Sequence, residues 1–235
     1  MNAFTNMSPD SSAVENVIRG RRSIRRFLTT PVDTGVVREL LELAARAPSG
    51  TNVQPWRVYA LAGAAKDALI RAVVEKYKAS GIEAMDFDYH PKEWVDPWLS
   101  RRRKMGYDLY ALLGIAKGDK EKMAQQEINN YRFFDAPVGL IFTFDRALGM
   151  GMLLDYGMFL ENLMLAARAR GLDTCQQLAF AKFQNTVQRT LGLPDNERII
   201  GGMALGYADP DAPENRLRTE RVPVEAFTEF RGFAA

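Results

Sequence analysis

The segment Arg21-Arg22-Ser23-Ile24-Arg25-Arg26 gathers four guanidinium groups around one hydroxyl. A guanidinium grips phosphate oxygens in a bidentate fork, and a serine hydroxyl adds a neutral donor. Side chains alternate along an extended backbone, so Arg21, Ser23 and Arg25 are expected on one face, with Arg22 and Arg26 on the other. Such a face suits a phosphate ester. Taken alone, such a cluster is more often a solvated basic surface or a patch for a nucleic-acid backbone.

A second constellation is Pro48-Ser49-Gly50-Thr51-Asn52-Val53-Gln54-Pro55-Trp56, a turn-rich loop between a helical and a strand-like stretch. Its short polar side chains can hydrogen-bond a flat heteroaromatic edge, and Gly50 permits close backbone approach. Satisfied local turns are the simpler reading in isolation. A third is Thr174-Cys175-Gln176-Gln177-Leu178-Ala179, read as a loop able to aim backbone N–H groups at a ligand. Cys175 has no His or Asp pattern to activate it and reads as a buried, inert thiol. The tail adds Arg216, Arg218 and Arg221, a second cation source for a phosphate site or a solvated end. His90, the one histidine, reads as a surface residue.

The elements that position these groups follow from periodicity. A short helix is expected through Val14, Val17 and Ile18, capped by Asp10, Ser11 or Ser12. Asp33 caps a helix to about Arg46, with Val36, Val37, Leu40, Leu41 and Ala44 on one stripe. Strands are expected over 56–61, 136–145 and 199–207, and helices over 64–79, 120–132, 150–170 and 181–191. The order is not a regular βαβ series, which favours α+β with a central, mostly antiparallel or mixed sheet flanked by helices. The expected organisation is a flexible arm over 1–12 and one domain over 13–235. Within that domain 81–118 is an irregular insertion or lid, and 208–235 is an extended tail.

Composition removes several classes. The 235 residues carry a net charge of only +2, a weak basic excess for a nucleic-acid binder. One cysteine forms no internal disulfide, and one histidine builds no transition-metal site. No apolar run is long enough to span a bilayer, and residues 1–12 carry no basic-then-apolar leader. A cytoplasmic protein, without metal, nucleic-acid or membrane partners, is the expectation.

Four stretches, in this order, resemble the FMN-dependent nitroreductase family: IRGRRSIRRF, ARAPSGTNVQPWRVYAL, GLDTCQQLAFAKF with GGMALGYAD, and the tail RTERVPVEAF. The resemblance implies an intertwined homodimer with FMN at the subunit interface. It implies a ping-pong enzyme that passes hydride from NAD(P)H through flavin N5 to a small aromatic acceptor, a nitroaromatic foremost. A quinone, activated alkene or halogenated aromatic is the alternative acceptor, and a non-catalytic FMN-binding protein the alternative class. Carried over by position, Arg21, Ser23 and Arg221 are phosphate ligands. Arg22 and Arg25 contact the phosphate, ribityl chain or ring edge, and Arg25 stabilises the reduced ring electrostatically. Pro48, Ser49, Gly50 and Asn52 touch the isoalloxazine from the second subunit. Leu178 and Ala179 match the place where a backbone N–H faces N5. Two departures stand out: Thr219 occupies a position where the family often has lysine, with Arg218 as a substitute cation, and Leu178 replaces an acidic residue of some members.

Overall fold

The computed structural model describes residues 11–233. The described helices are α1 (Ser11–Gly20), α2 (Thr34–Ala44), α3 (Gly63–Ser80), α4 (Trp98–Leu112), α5 (Lys120–Tyr131), α6 (Met152–Ala169) and α7 (Gln184–Leu191). The strands are β1 (Arg57–Leu61), β2 (Val138–Asp145), β3 (Asp173–Gln177) and β4 (Glu197–Gly206). They form one antiparallel sheet in the order β1-β2-β4-β3, so the architecture is the expected α+β.

Burial explains the layering. Along β2, Leu140, Phe142 and Phe144 point to one face and pack with Val37, Leu40 and Ala44 of α2 and Tyr156, Phe159 and Leu163 of α6. Ile141 points to the other face, which holds Leu69 and Val73 of α3, Ile128 and Tyr131 of α5 and Val187 of α7. A strand covered on both faces reads as the continuous apolar run that VGLIFTFD is. Asp33 caps α2, its carboxylate accepting from Gly35 N at 2.7 Å. Gly171 releases the chain from α6 at φ +72°.

Several expectations need correction. Ser11 and Ser12 belong to α1 rather than to an arm; residues 1–10, with the candidate cap Asp10, lie outside the described residues. The insertion over 81–118 is not irregular throughout, because α4 occupies much of it and carries the run Arg101–Lys104. Only Leu109 of α4 is buried, so no amphipathic stripe announces the helix. Thr174–Gln177 is not a loop but most of β3, paired to β4 from Asp173↔Gly206 to Gln177↔Gly202. The tail is interrupted by 3-10 turns at Pro213–Arg216 and Val224–Ala226.

Candidate functional site

The chain leaves α1 at Gly20 and runs extended along β3. Ile24 and Phe27 are buried anchors at 1% and 3% exposure. Ile24 N donates to Thr174 O at 3.1 Å, and Phe27 N to Phe134 O at 3.1 Å. These anchors and backbone bonds hold the arginines between them at the surface.

There, Arg21, Arg22, Ser23 and Arg25 line a cavity of about 670 Å³ together with Arg19, Arg168, Arg218 and Arg221. Seven arginines face this space against one lining carboxylate, Glu161. Strict alternation does not hold. Arg22 was expected opposite Arg21, yet it lines the same cavity, its Nη1 donating to Asn215 O at 2.8 Å. Arg26 does turn away, to Glu214 at 3.3 Å and to Asp135.

Two acids temper the cation cluster. Glu161 lies 3.4 Å from Arg21, and Asp173 lies 3.2 Å from Arg168. Burial pushes the Asp173 carboxyl up, against the pull of Arg168 and Arg22. Burial likewise lowers the Arg22 pKa; Arg218 and Arg168 lower it further, while Asp173 raises it. Cations that disfavour one another's charge are relieved by a bound anion.

The tail is docked by a residue that no motif indicates. Asn215, in the Pro213–Arg216 turn, is 8% exposed. Its Oδ1 accepts from Arg25 N at 2.8 Å, and its Nδ2 donates to Arg26 O at 2.8 Å and Asp209 O at 2.9 Å. Its backbone carbonyl accepts from Arg22 and, at 3.1 Å, from Arg218. One side chain thus sets the register between the two arginine-bearing segments. Arg168 and Glu161 were also missed: on the sequence they are ordinary polar positions of α6, and only the fold brings them here.

The loop before β1 is held in unusual geometry. Thr51, Asn52 and Gln54 have φ of 48°, 59° and 50°, a conformation that costs non-glycine residues about 1–3 kcal/mol each. Ser49 Oγ accepts from Gln54 N at 3.0 Å, and Gly50 N donates to Asp155 Oδ1 at 3.2 Å. Pro48, Gly50 and Asn52 are exposed and Ser49 half-buried. None of the four lines the arginine cavity of its own chain.

Leu178 and Ala179 open a 3-10 turn, Leu178–Phe183, and are half-buried. They too stand apart from the residues lining the arginine cavity. The turn is pinned by Phe180, whose ring covers Gly202; a Cβ there would meet that ring at 2.7 Å and Leu140 O at 2.9 Å. On the far side, Glu83 ties the insertion to α7. Its backbone N donates to Lys182 O at 2.9 Å, and its carboxylate accepts from Asn185 N at 2.9 Å and Thr186 Oγ1 at 2.7 Å.

The structure therefore gathers Arg21, Arg22, Ser23, Arg25 and Arg221, and leaves Pro48, Ser49, Gly50, Asn52, Leu178 and Ala179 outside that cavity. Thr219, at the family's lysine position, lines it as well, and Arg218 supplies a cation. Cys175 is buried at 4% exposure with its thiol pKa pushed up by burial. His90 sits beside Tyr89 and Trp94. Burial, then Arg102 and Lys182, push its pKa below the ordinary value.

The fold is thus of the α+β class, a four-stranded antiparallel sheet flanked by helices, with a cationic cavity formed by the segment beside β3, by α6 and by the tail. The Nitroreductase family model matches residues 18–207, and the chain belongs to that family. It is 41% identical over 225 residues to nitrobenzene nitroreductase of Ectopseudomonas oleovorans, covering 94% of this chain and 98% of that one. It is 40% identical to 4-nitrobenzoate reductase of Nocardioides sp., covering 94% and 91%. The FMN- and NADPH-dependent nitroreductase NfnB of Sphigopyxis sp. strain HMH superposes with a TM-score of 0.90 at 37% identity, covering 94% and 99%. The FMN-dependent NfnB of Mycobacterium smegmatis, solved with NADPH, gives 0.89 at 32%, with the same coverage.

Proposed function

We propose that the chain is an FMN-dependent nitroreductase that takes electrons from a reduced nicotinamide dinucleotide and gives them to a nitroaromatic acceptor. The observation that carries this reading is the cavity of seven arginines and Ser23, whose donor set fits a phosphate dianion. The named activities of the matched relatives, nitrobenzene and nitrobenzoate reduction, supply the acceptor class.

Arg21, Arg22, Ser23 and Arg221 would hold the phosphate. When bound, FMN supplies the two-electron transfer between nicotinamide and nitro group; the protein contributes position and electrostatics. The segment at Leu178 and Ala179, fixed by Phe180 against Gly202, would offer backbone N–H groups to the ring. Arg25 lines a second, smaller cavity as well as the first, which supports a role for its charge near the ring rather than at the phosphate. A unit charge at contact distance is worth about 1–4 kcal/mol at such a site, roughly 20–90 mV for a two-electron couple. Arg25→Ala is therefore expected to lower the flavin midpoint potential, measured by dye equilibration; an unchanged potential removes Arg25 from this role.

A second copy of the chain completes the site in this reading. The exposed loop Pro48–Asn52 does not line its own arginine cavity, and its strain is unexplained within one chain. Val14 and Ile18 of α1, with Phe227, Phe230 and Phe233 of the tail, are exposed apolar side chains that an intertwined dimer would cover. The part of the insertion containing α4 serves as a wall or lid. A single buried thiol suits a reducing compartment such as the cytosol; among the described residues no helix is long and apolar enough to cross a membrane.

The purified protein is expected to be yellow and to bleach under anaerobic NADPH. Initial-rate lines at varied acceptor should run parallel, because both substrates use one site in turn. A colourless preparation that takes up no FMN on titration sinks the reading. A yellow one that neither dinucleotide bleaches leaves a flavin-binding protein without turnover.

A further inference from the structure

A track of cavities leads away from the arginine site. Arg25 also lines a pocket of about 190 Å³ with Leu109 and Tyr110 of α4 and Gln126 and Asn130 of α5. Tyr110 in turn lines a larger cavity of about 440 Å³ between α4 and the start of α5. Arg25 and Tyr110 are thus the shared walls of three adjoining spaces. The outermost has flat and pliable apolar sides from Met105, Tyr107, Tyr110 and Met123. Its charged residues are Arg102, Arg103 and Lys117, with no carboxylate among the lining groups. Nearby lysines are matched by acids: Lys104 by Asp108 and Glu220, and Lys122 by Asp119. Arg102, Arg103 and Lys117 form no ion pair within 4 Å among the described residues. The frame is anchored, since α4 packs against the Pro213–Arg216 turn that carries Asn215.

We propose, building on the reading of the chain as a flavin nitroreductase, that this outer cavity holds the adenosine end of NADPH, with the 2′-phosphate on Arg102, Arg103 and Lys117. Tyrosine rings and methionine thioethers accept the face of a flat heteroaromatic base. Three acid-free cations suit a phosphate dianion better than a single carboxylate. Position decides between the two remaining guests. A nitrobenzoate held here would be separated from Arg25 by the intervening pocket, too far from the flavin to react. A long two-ended molecule can anchor here and send its nicotinamide past Tyr110 toward Arg25. NADH lacks the anchored group, so the cavity discriminates between the dinucleotides.

The test uses the flavin-loaded protein and the Arg103→Ala/Lys117→Ala variant. Both residues are exposed, so folding is not at stake; circular dichroism checks it. Stopped-flow bleaching gives bimolecular rates with NADPH and NADH, and calorimetry gives the affinity for adenosine 2′,5′-bisphosphate. Each lost charge-assisted bond to phosphate weakens binding about tenfold or more. The NADPH-to-NADH rate ratio should fall by at least that factor, and the bisphosphate affinity with it, while Lys117→Arg retains both. An unchanged ratio overturns the proposal, as does a bisphosphate that fails to bind the unmodified protein. A variant that loses 4-nitrobenzoate turnover with its NADPH preference intact reassigns the cavity to the acceptor. Failure of the parent reading looks different: the flavin would not bleach with either dinucleotide, whatever the bisphosphate does.

Discussion

Asn215→Leu is expected to yield a protein that folds but loses most of its flavin on purification. The substitution keeps the branched heavy-atom shape, with somewhat more bulk, and removes three side-chain hydrogen bonds, to Arg25 N, Arg26 O and Asp209 O. Each buried backbone group left without a partner costs about 1–3 kcal/mol. Water entering from the adjoining cavity offsets part of this, so about 3 kcal/mol is the expected net cost. The loss falls on one junction, the seam between the Arg21–Arg26 segment and the tail. When that seam opens, Arg218 and Arg221 no longer face Arg21 and Ser23 across a fixed gap. A phosphate then has to order its own ligands, and FMN affinity should drop at least about a hundredfold, by the share of that cost returned on binding. Asn215→Asp separates the contributions: it keeps the acceptor for Arg25 N but sets a carboxylate against two carbonyls. Flavin-to-protein ratio and FMN titration of the stripped protein are the readouts. Full flavin content in Asn215→Leu, with an unchanged melting temperature, would remove Asn215 from this role.

That a single asparagine carries so much was not legible from the sequence. The arginine cluster was, although residue type alone leaves it open between a phosphate site and a solvated surface, and the family resemblance decides the reading. So were α2, with its Asp33 cap and apolar stripe, the helices α3 and α5–α7, whose signals are local, and β2, whose unbroken apolar run has few other uses. What escaped depends on distant partners. The β3 strand, DTCQQ, looks like a loop because its buried polar groups Asp173, Thr174 and Gln177 are made tolerable by Arg168 at the end of α6 and by two partners distant in sequence, β4 and Asn130. The α4 helix follows a proline-rich stretch and buries almost nothing, so neither its start nor its face is marked. Asn215 sits in Pro-Glu-Asn-Arg, a turn like any other until Arg25 and Arg26 come to meet it. The loop at Thr51–Gln54 is a different case: its composition reads most simply as local turns, and the positive φ of Thr51, Asn52 and Gln54 cannot be read from residue types.

Glu197→Ala is expected to destabilise the fold by about 3 kcal/mol, a melting-temperature drop of roughly 6–12 °C for a chain of this size. The Glu197 side chain is 1% exposed. Its carboxylate accepts from Thr143 Oγ1 at 2.6 Å, from Tyr59 OH at 2.8 Å and from Arg57, tying β1, β2 and β4 together at one end. Arg57 is largely exposed and can return to water. The buried Thr143 hydroxyl and the half-buried Tyr59 hydroxyl are left short of an acceptor, and they carry most of the cost. The same carboxylate makes stability depend on acid. Burial alone would raise the Glu197 pKa, but the bonds from Thr143, Tyr59 and Arg57 outweigh it and hold the group below the usual carboxylate value. The unfolded chain then binds this proton more readily than the folded one. The contribution is fully present above the unfolded value of about 4.3 and is lost as pH falls from there through the folded pKa. Glu197→Gln should remove that part of the slope, flattening stability against pH below about 4.3. Urea titrations from pH 6 downward measure it, and parallel curves for parent and variant would show that the acid response lies elsewhere. Because β1 follows directly from the loop at Pro48–Trp56, with Trp56 stacked on Phe159 at 5.0 Å, the Ala variant should also loosen that loop. Its flavin affinity should fall less than that of Asn215→Leu, since the arginine cavity stays in register while only the loop before β1 gives way.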